Sequence, residues 1–363
     1  MSGKEVGERP VSGEWPLKRL LTEVIGSGPK TADDMSYEQA RESFERVLVG
    51  NPASATLGAF LLANRWKEST PEELAGFADA MRDRSVESVA PEADPVDCGA
   101  NYDGKRKTAI LGVAAGLVSA EAGVPVVVHS GPDLPAKHGT TYRDVLDALG
   151  VATGLEPEAS AEMVDEVGFG FYAQSKFNPR VHDLRPTREE VGVRTSINTV
   201  ETLANPADAP VHFGSFYHLS YAERIAGTVR ESRELPFERV VMAQGMEGYD
   251  DVRPGTTRIA EWDESVGGEI EDGAVETADF GADFEREALR VADLAEDSAS
   301  VTEEVLAGER DGPFADAVVL NAGFRIYAGG GAESVGDGVE QARDVLADGA
   351  VRNRLDALRN FEP

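Results

Sequence analysis

Residues 97–150, DCGANYDGKRKTAILGVAAGLVSAEAGVPVVVHSGPDLPAKHGTTYRDVLDALG, read as loop, helix, strand, loop and helix. The first loop, Cys98 to Thr108, sets Gly99 and Gly104 among Asn101, Asp103, Lys105, Arg106, Lys107 and Thr108, directly before a helix of small residues. Backbone N–H groups freed by glycine, a helix N-terminus and nearby cations together make a place for phosphate. Val124 to Val128 is a short β-branched run that reads as a buried parallel strand. It delivers His129-Ser130-Gly131, and then Lys137-His138-Gly139-Thr140-Thr141, to the carboxyl edge of a sheet, where open α/β folds place ligands. A single glycine-bearing loop before a helix is often only a turn; two such loops flanking one strand strengthen the anion-binding reading.

A chain of 363 residues, 41% apolar and 7% aromatic, is long enough for two domains with a large core. Its net charge of −31 is spread along nearly every segment, and arginine greatly outnumbers lysine. That pattern reads as a surface adapted to concentrated salt, where screening within ~3 Å at 1 M removes self-repulsion. A cationic partner would instead call for one acidic block, which only Glu261 to Glu303 approaches. The lone cysteine, Cys98, excludes an internal disulfide and a cysteine metal cluster. No signal-peptide pattern opens the chain and no run of ~20 apolar residues interrupts it, so a cytoplasmic protein is expected.

Residues 1–14 read as a frayed arm, and 15–85 as a helical domain of four short helices. Thr70, Pro71 and Glu73 form an N-cap signature for the fourth helix. The third, with Leu57, Phe60, Leu61, Leu62 and Trp66, is apolar over much of its circumference and is expected to be buried or in a subunit interface. Residues 85–95 read as a hinge. From 96 to 363 strands alternate with helices, the mark of a mostly parallel sheet in an α/β domain, and a later helix could rejoin the helical layer. Residues 261–315, acidic and alanine-rich, read as helices with an insertion. Arg180, Arg185, Arg188 and Arg194, with His182, Asn178 and Asn198, suggest either a cationic cleft wall or ion pairs. Glu247, Asp250 and Asp251, after a strand ending near Ala243, read equally as ligands for a hard cation or as a solvated turn.

Residues 56–85 (TLGAFLLANRWKESTPEELAGFADAMRDRS), 185–206 (RPTREEVGVRTSINTVETLANP) and 320–346 (LNAGFRIYAGGGAESVGDGVEQARDVL) carry a resemblance. Across nearly its whole length the chain resembles the anthranilate phosphoribosyltransferases of glycosyltransferase family 3. The resemblance implies a small α-helical N-terminal domain plus a large α/β domain, with a cleft between them and a homodimer through the helices. It implies transfer of a phosphoribosyl group from phosphoribosyl pyrophosphate, as in tryptophan biosynthesis, with Mg2+ on the pyrophosphate. Donor binding would fall on Gly99, Asn101, Asp103, Gly104, Lys107, Thr108, His129, Lys137, Thr140 and Thr141. Acceptor binding would fall on Asn178 and Arg188, and the metal on Asp250 and Asp251; no acid or base is assigned.

The motifs also depart from the family. CGANYDG (98–104) stands for GTGGDG, and VHSGP (128–132) for KHGNR, keeping His129 and Gly131. The asparagine and serine of the TFNIST segment fall on Ile110 and Gly112, so one magnesium ligand position is lost. These features look closer to a divergent branch in which the scaffold binds nucleic acid, here through Lys105, Arg106, Lys107, Arg143, Arg180, Arg185 and Arg194. The acidic composition and the weak drive of counterion release in salt favour the enzyme over that alternative.

Overall fold

The computed structural model describes residues 16–363 apart from 29, 133 and 267, so the arm expected at 1–14 lies outside the described residues. Seven strands form one sheet: β1 (Val96–Cys98), β2 (Val126–Ser130), β3 (Phe169–Ala173), β4 (Val211–Phe216), β5 (Arg239–Gln244), β6 (Thr256–Asp263) and β7 (Ile270–Glu276). Their order is β3-β2-β1-β4-β5-β6-β7; β1 to β5 run parallel, and β6 and β7 are antiparallel additions. The chain leaves β1 towards β2 and β3 on one side, then returns to β4 on the other. The β1/β4 boundary is therefore the switch point of the sheet.

β2 is buried over its whole length, which is why its sequence is a continuous β-branched run with no alternation. The helix before it, Gly112–Glu121, is buried from Gly112 to Ala120. Its Gly116 permits that approach, since a Cβ there would meet the Phe169 ring at 2.7 Å. The helix Pro313–Ala328, also largely buried, packs beside it.

Before the sheet come α1 (Leu17–Ile25), α2 (Tyr37–Val49), α3 (Ser54–Lys67) and α4 (Pro71–Arg84). Thr70 and Glu73 close a capping box on α4, with Pro71 in its first turn. Phe44, Phe60 and Phe77 form the aromatic centre of this layer, with ring centroids 5.3 and 6.3 Å from Phe77. Burying each such side chain contributes roughly 2–3 kcal/mol. Phe177, Val181, Ile197 and Val200, from the segment between β3 and β4, join the same apolar cluster. On α3, Leu57, Phe60 and Leu61 are buried, whereas Leu62 and Trp66 are 50% and 85% exposed.

One expectation is corrected. The region read as acidic helices from 261 holds the end of β6, all of β7 and three short 3-10 turns before the helix Leu294–Leu306. β7 is an outer edge whose side chains are largely exposed, so its charges face water and erase the apolar signal of a strand. Among the described residues no helix is long and apolar enough to cross a membrane.

Candidate active site

The two loops singled out from the sequence do converge. Lys105 N donates to Thr140 O and Thr140 N to Lys105 O, both at 2.9 Å, and Gly139 N donates to Asp103 O at 2.9 Å. Gly104, at φ +75°, and Gly139 allow this crossing. A Cβ on Gly104 would meet the Gly139 backbone at 2.5 Å, and one on Gly139 would meet Lys105 O at 2.5 Å.

What the loops hold, however, is the chain's own charge. Glu247 accepts from Arg106 N at 2.9 Å, Thr108 N at 3.1 Å and Thr108 Oγ1 at 3.0 Å. Burial works to raise its carboxyl, but these donors and nearby Lys105 hold it below the usual carboxylate range. Asp103 takes a two-pronged ion pair from Arg194, its Nε at 2.7 Å, and lies 3.7 Å from Lys137 Nζ. Lys137 also donates to Gly104 O and Glu247 O. Thr141 caps the helix Tyr142–Ala148 through Asp144. Lys107 and Thr108 open instead on a small cavity of about 120 Å³ beyond Glu247. Where the donor seat was expected, between residues 99–108 and 137–141, internal carboxylates and lysines thus contact one another.

The aspartate pair is likewise engaged within the chain. Both Asp250 oxygens accept from Tyr142 Oη at 2.7 Å, and Oδ2 also accepts from Arg325 at 2.7 Å. Asp251 Oδ2 accepts from Lys105 Nζ at 2.5 Å, and Oδ1 from Leu111 N at 3.1 Å. All four groups, Asp250, Asp251, Lys105 and Arg325, are buried. Burial pushes the Asp250 carboxyl up to about 6 against the pull of Arg325, with Asp251 adding to the rise. A magnesium ion needs carboxylate oxygens free to enter an octahedral shell. With every oxygen engaged, this pair does not fit one. Among the described residues no group of three or more His, Cys, Asp or Glu side chains could hold a metal ion.

The acceptor residues are internal too. Arg188 is buried and makes a bidentate ion pair with Glu201 at 2.7 and 2.7 Å, and Glu201 also accepts from Gln174 Nε2 at 3.0 Å. Asn178 is buried and accepts from Ser85 Oγ. Both thus have partners within the chain, while Asn178 Nδ2 has none among the described residues. Four of the seven cations proposed for nucleic acid, Lys105, Arg143, Arg185 and Arg194, are also ion-paired.

An open cavity of about 340 Å³ lies instead on the switch-point side of the first loop. Gly99 and Asn101 line it from the β1 exit, Gly214 to Tyr217 from β4 and its exit, and Met242 from β5. Arg194 and Asn198 close one wall, and Arg65 and Glu68, at the end of α3, form the roof. A neighbouring cavity of about 430 Å³ shares Arg65, Glu68, Thr195, Thr199 and Arg224 with it. Arg224 is paired with Glu68 at 3.0 Å, while no carboxylate partner of Arg65 is seen among the described residues. A crevice outside the carboxyl ends of parallel strands, at a switch point and under a second layer, is where such folds bind ligands.

From its floor, where His212 lines the cavity, a buried polar chain runs across three strands. His129 Nδ1 is hydrogen-bonded to Tyr102 Oη, and His129 Nε2 stands 3.2 Å from Asp97 Oδ1 without closing a hydrogen bond. Asp97 Oδ2 bonds His212 Nδ1 at 2.9 Å. Burial opposes the charge on Asp97, but the two imidazoles hold its carboxyl below the usual range. His129 is thus a link between Tyr102 and Asp97. Asp97, His212, Glu201, Tyr142 and Arg325 were missed from the sequence. The signal was present for two of them, because Asp97 in VDC and His212 in VHFGSF are ionisable residues inside buried parallel strands.

Comparison with known proteins places the chain. Residues 96–352 match the model of the glycosyl transferase family a/b domain, and residues 20–85 that of its helical bundle domain. The chain is 31% identical over 328 residues to the anthranilate phosphoribosyltransferase of Methanocorpusculum labreanum, covering 90% of this chain and 93% of that one. It is similar to the crystal structure of anthranilate phosphoribosyltransferase from Thermus thermophilus, with a TM-score of 0.79, 29% identity, and coverage of 95% and 98%. The Saccharomyces cerevisiae enzyme, solved in complex with PRPP and Mg, shares the fold at a TM-score of 0.77 and 18% identity, covering 95% of this chain and 97% of its own.

Proposed function

The chain belongs to the glycosyl transferase family with helical bundle and a/b domains, among the anthranilate phosphoribosyltransferases, and from that premise we propose that it transfers a phosphoribosyl group from phosphoribosyl pyrophosphate to an aromatic or other anionic acceptor. The observation that carries this reading is the cavity of about 340 Å³ at the β1/β4 switch point, roofed by α3. Arg65 supplies a cation for the anionic ends of the ligands, and Arg194 and Arg224 add positive walls already braced by Asp103 and Glu68. Transfer at a sugar carbon requires two reactants held in line and charge stabilised, and a polar cleft roofed by α3 provides both. Magnesium reaches such a site on the pyrophosphate of the donor. Asp250 and Asp251 would have to part from Arg325 and Lys105 to hold it.

A second reading has one observation in its favour. Glu247 occupies the loop amides that would receive a phosphate, which suits a family member that binds ligand without turning it over. The homodimer of the family would use the exposed Leu62 and Trp66 face of α3.

The test is to add phosphoribosyl pyrophosphate, with and without anthranilate, to the protein in concentrated salt and measure both melting temperature and pyrophosphate release. A rise in melting temperature with acceptor-dependent release supports the transferase. A rise alone selects the second reading. No rise at millimolar donor, with no release, overturns both.

A further inference from the structure

We propose that His212 is the catalytic base of the cleft, taking the proton of the acceptor N–H through Nε2, with Asp97 as its positioning residue. This inference rests on the transferase reading above and deepens it.

His212 on β4 lies in register with Asp97 on β1, at the switch point itself. The 2.9 Å bond from Nδ1 to the Asp97 carboxylate assigns the proton to Nδ1 and leaves the lone pair on Nε2. His212 is among the residues lining the large cavity, with 1% of its surface exposed there. Two glycines clear its way. A Cβ at Gly214 would sit 2.7 Å from His212 Nε2, and a Cβ at Gly99 would sit 2.5 Å from Cε1. Any side chain at either position would cap the imidazole, so the opening is built by these two residues. Phe237 holds the far side of the ring at 5.2 Å.

The step balances without a redox partner. The lone pair of the acceptor nitrogen forms a bond to the anomeric carbon of the ribose. The bond from that carbon to the pyrophosphate oxygen breaks, and its electron pair leaves with the pyrophosphate. The proton displaced from the nitrogen passes to Nε2. The resulting imidazolium lies against Asp97, whose carboxylate stabilises it as in other aspartate-oriented histidine bases. The groups that face the ring are Asp97 on β1 and, behind it, His129 on β2. Across the cavity stand Glu68, Tyr221, His218 and the fixed charges of Arg194 and Arg224.

The experiment compares wild type with His212→Gln and His212→Gly in pyrophosphate release, donor-induced melting shift and pH profile. Both variants should keep the donor-induced shift and a donor KM within about 3-fold of wild type. Their kcat should fall by roughly 10²- to 10³-fold, the usual range for a general base, and the acidic limb of the profile should flatten. Added imidazole should restore part of the turnover of His212→Gly, which a purely structural histidine would not allow. If wild type turns over and His212→Gln matches it within 3-fold, the role of His212 is overturned while the transferase stands. If wild type releases no pyrophosphate, both are overturned.

Discussion

Replacing Lys105 by methionine tests whether the aspartate pair is truly held by internal cations. Lys105 Nζ, fully buried, donates to Asp251 Oδ2 at 2.5 Å and to Ala109 O at 2.6 Å. Its removal leaves the Asp251 carboxylate buried with only the Leu111 amide, at 3.1 Å, on its other oxygen. Breaking a buried ion pair from one side destabilises by about 3–5 kcal/mol. At about 2 °C per kcal/mol for a large domain, the melting temperature should fall by roughly 6–10 °C. Because the pair is buried, the loss should be similar in 0.1 M and 2 M salt. Adding Asp251→Asn to Lys105→Met removes the orphaned charge, keeps an acceptor for Leu111 N, and should recover most of the loss. Magnesium should raise the melting temperature of Lys105→Met, whose carboxylate has been released, and leave wild type unmoved. Scanning calorimetry on the three proteins reads all of this. A single variant within ~1 kcal/mol of wild type, or a double variant less stable than the single, would refute the reasoning, as would a wild type stabilised by magnesium through Asp251.

Four further outcomes follow from the same geometry. Asp250, pushed up to about 6 by burial, sits above its unfolded value, so its contribution favours folding at low pH and is lost as pH rises from about 4 to 6. At 1.36 kcal/mol per unit this amounts to roughly 3 kcal/mol, and the slope should be missing from the stability curve of Asp250→Asn, though that variant is less stable throughout. Glu247 is shifted the opposite way; the advantage of wild type over Glu247→Gln should be present at neutral pH and vanish as pH falls below the usual glutamate range, in urea titrations at several pH values. Arg188→Met should destabilise by about 3–5 kcal/mol by orphaning Glu201, seen as a shifted urea midpoint; an unchanged midpoint would return Arg188 to the role of ligand contact. Gly104→Ala combines a positive φ with backbone contacts at 2.5 Å and should lower the melting temperature by several degrees.

The sequence made the frame legible because the frame rests on local patterns. The run at Val126 to Val128, the small-residue helix after Gly112 and the Thr70 cap each announce themselves within a few residues. The site was less legible because its decisive contacts are tertiary. Glu247 reaches the Thr108 amide across 139 positions, and Arg325 reaches Asp250 across 75. A loop of glycines and cations looks the same whether a phosphate or the chain's own carboxylate fills it. Arg188 offered a donor fork that suits an anthranilate carboxylate and a glutamate equally well, and Glu201 lies only 13 residues on. The outermost strands were lost for a different reason: at the sheet margin β7 has no apolar face to display, and an acidic run there mimics a solvated helix.

Glu247 adopts a left-handed backbone, at φ +57°, where an ordinary side chain is disfavoured by about 1–2 kcal/mol and glycine is at ease. A neighbour on the chain, Gly248 at φ +76°, shows that the turn already uses that freedom once. The glutamate is thus kept in a posture its main chain resists, and its three bonds to Arg106 and Thr108 must exceed that strain.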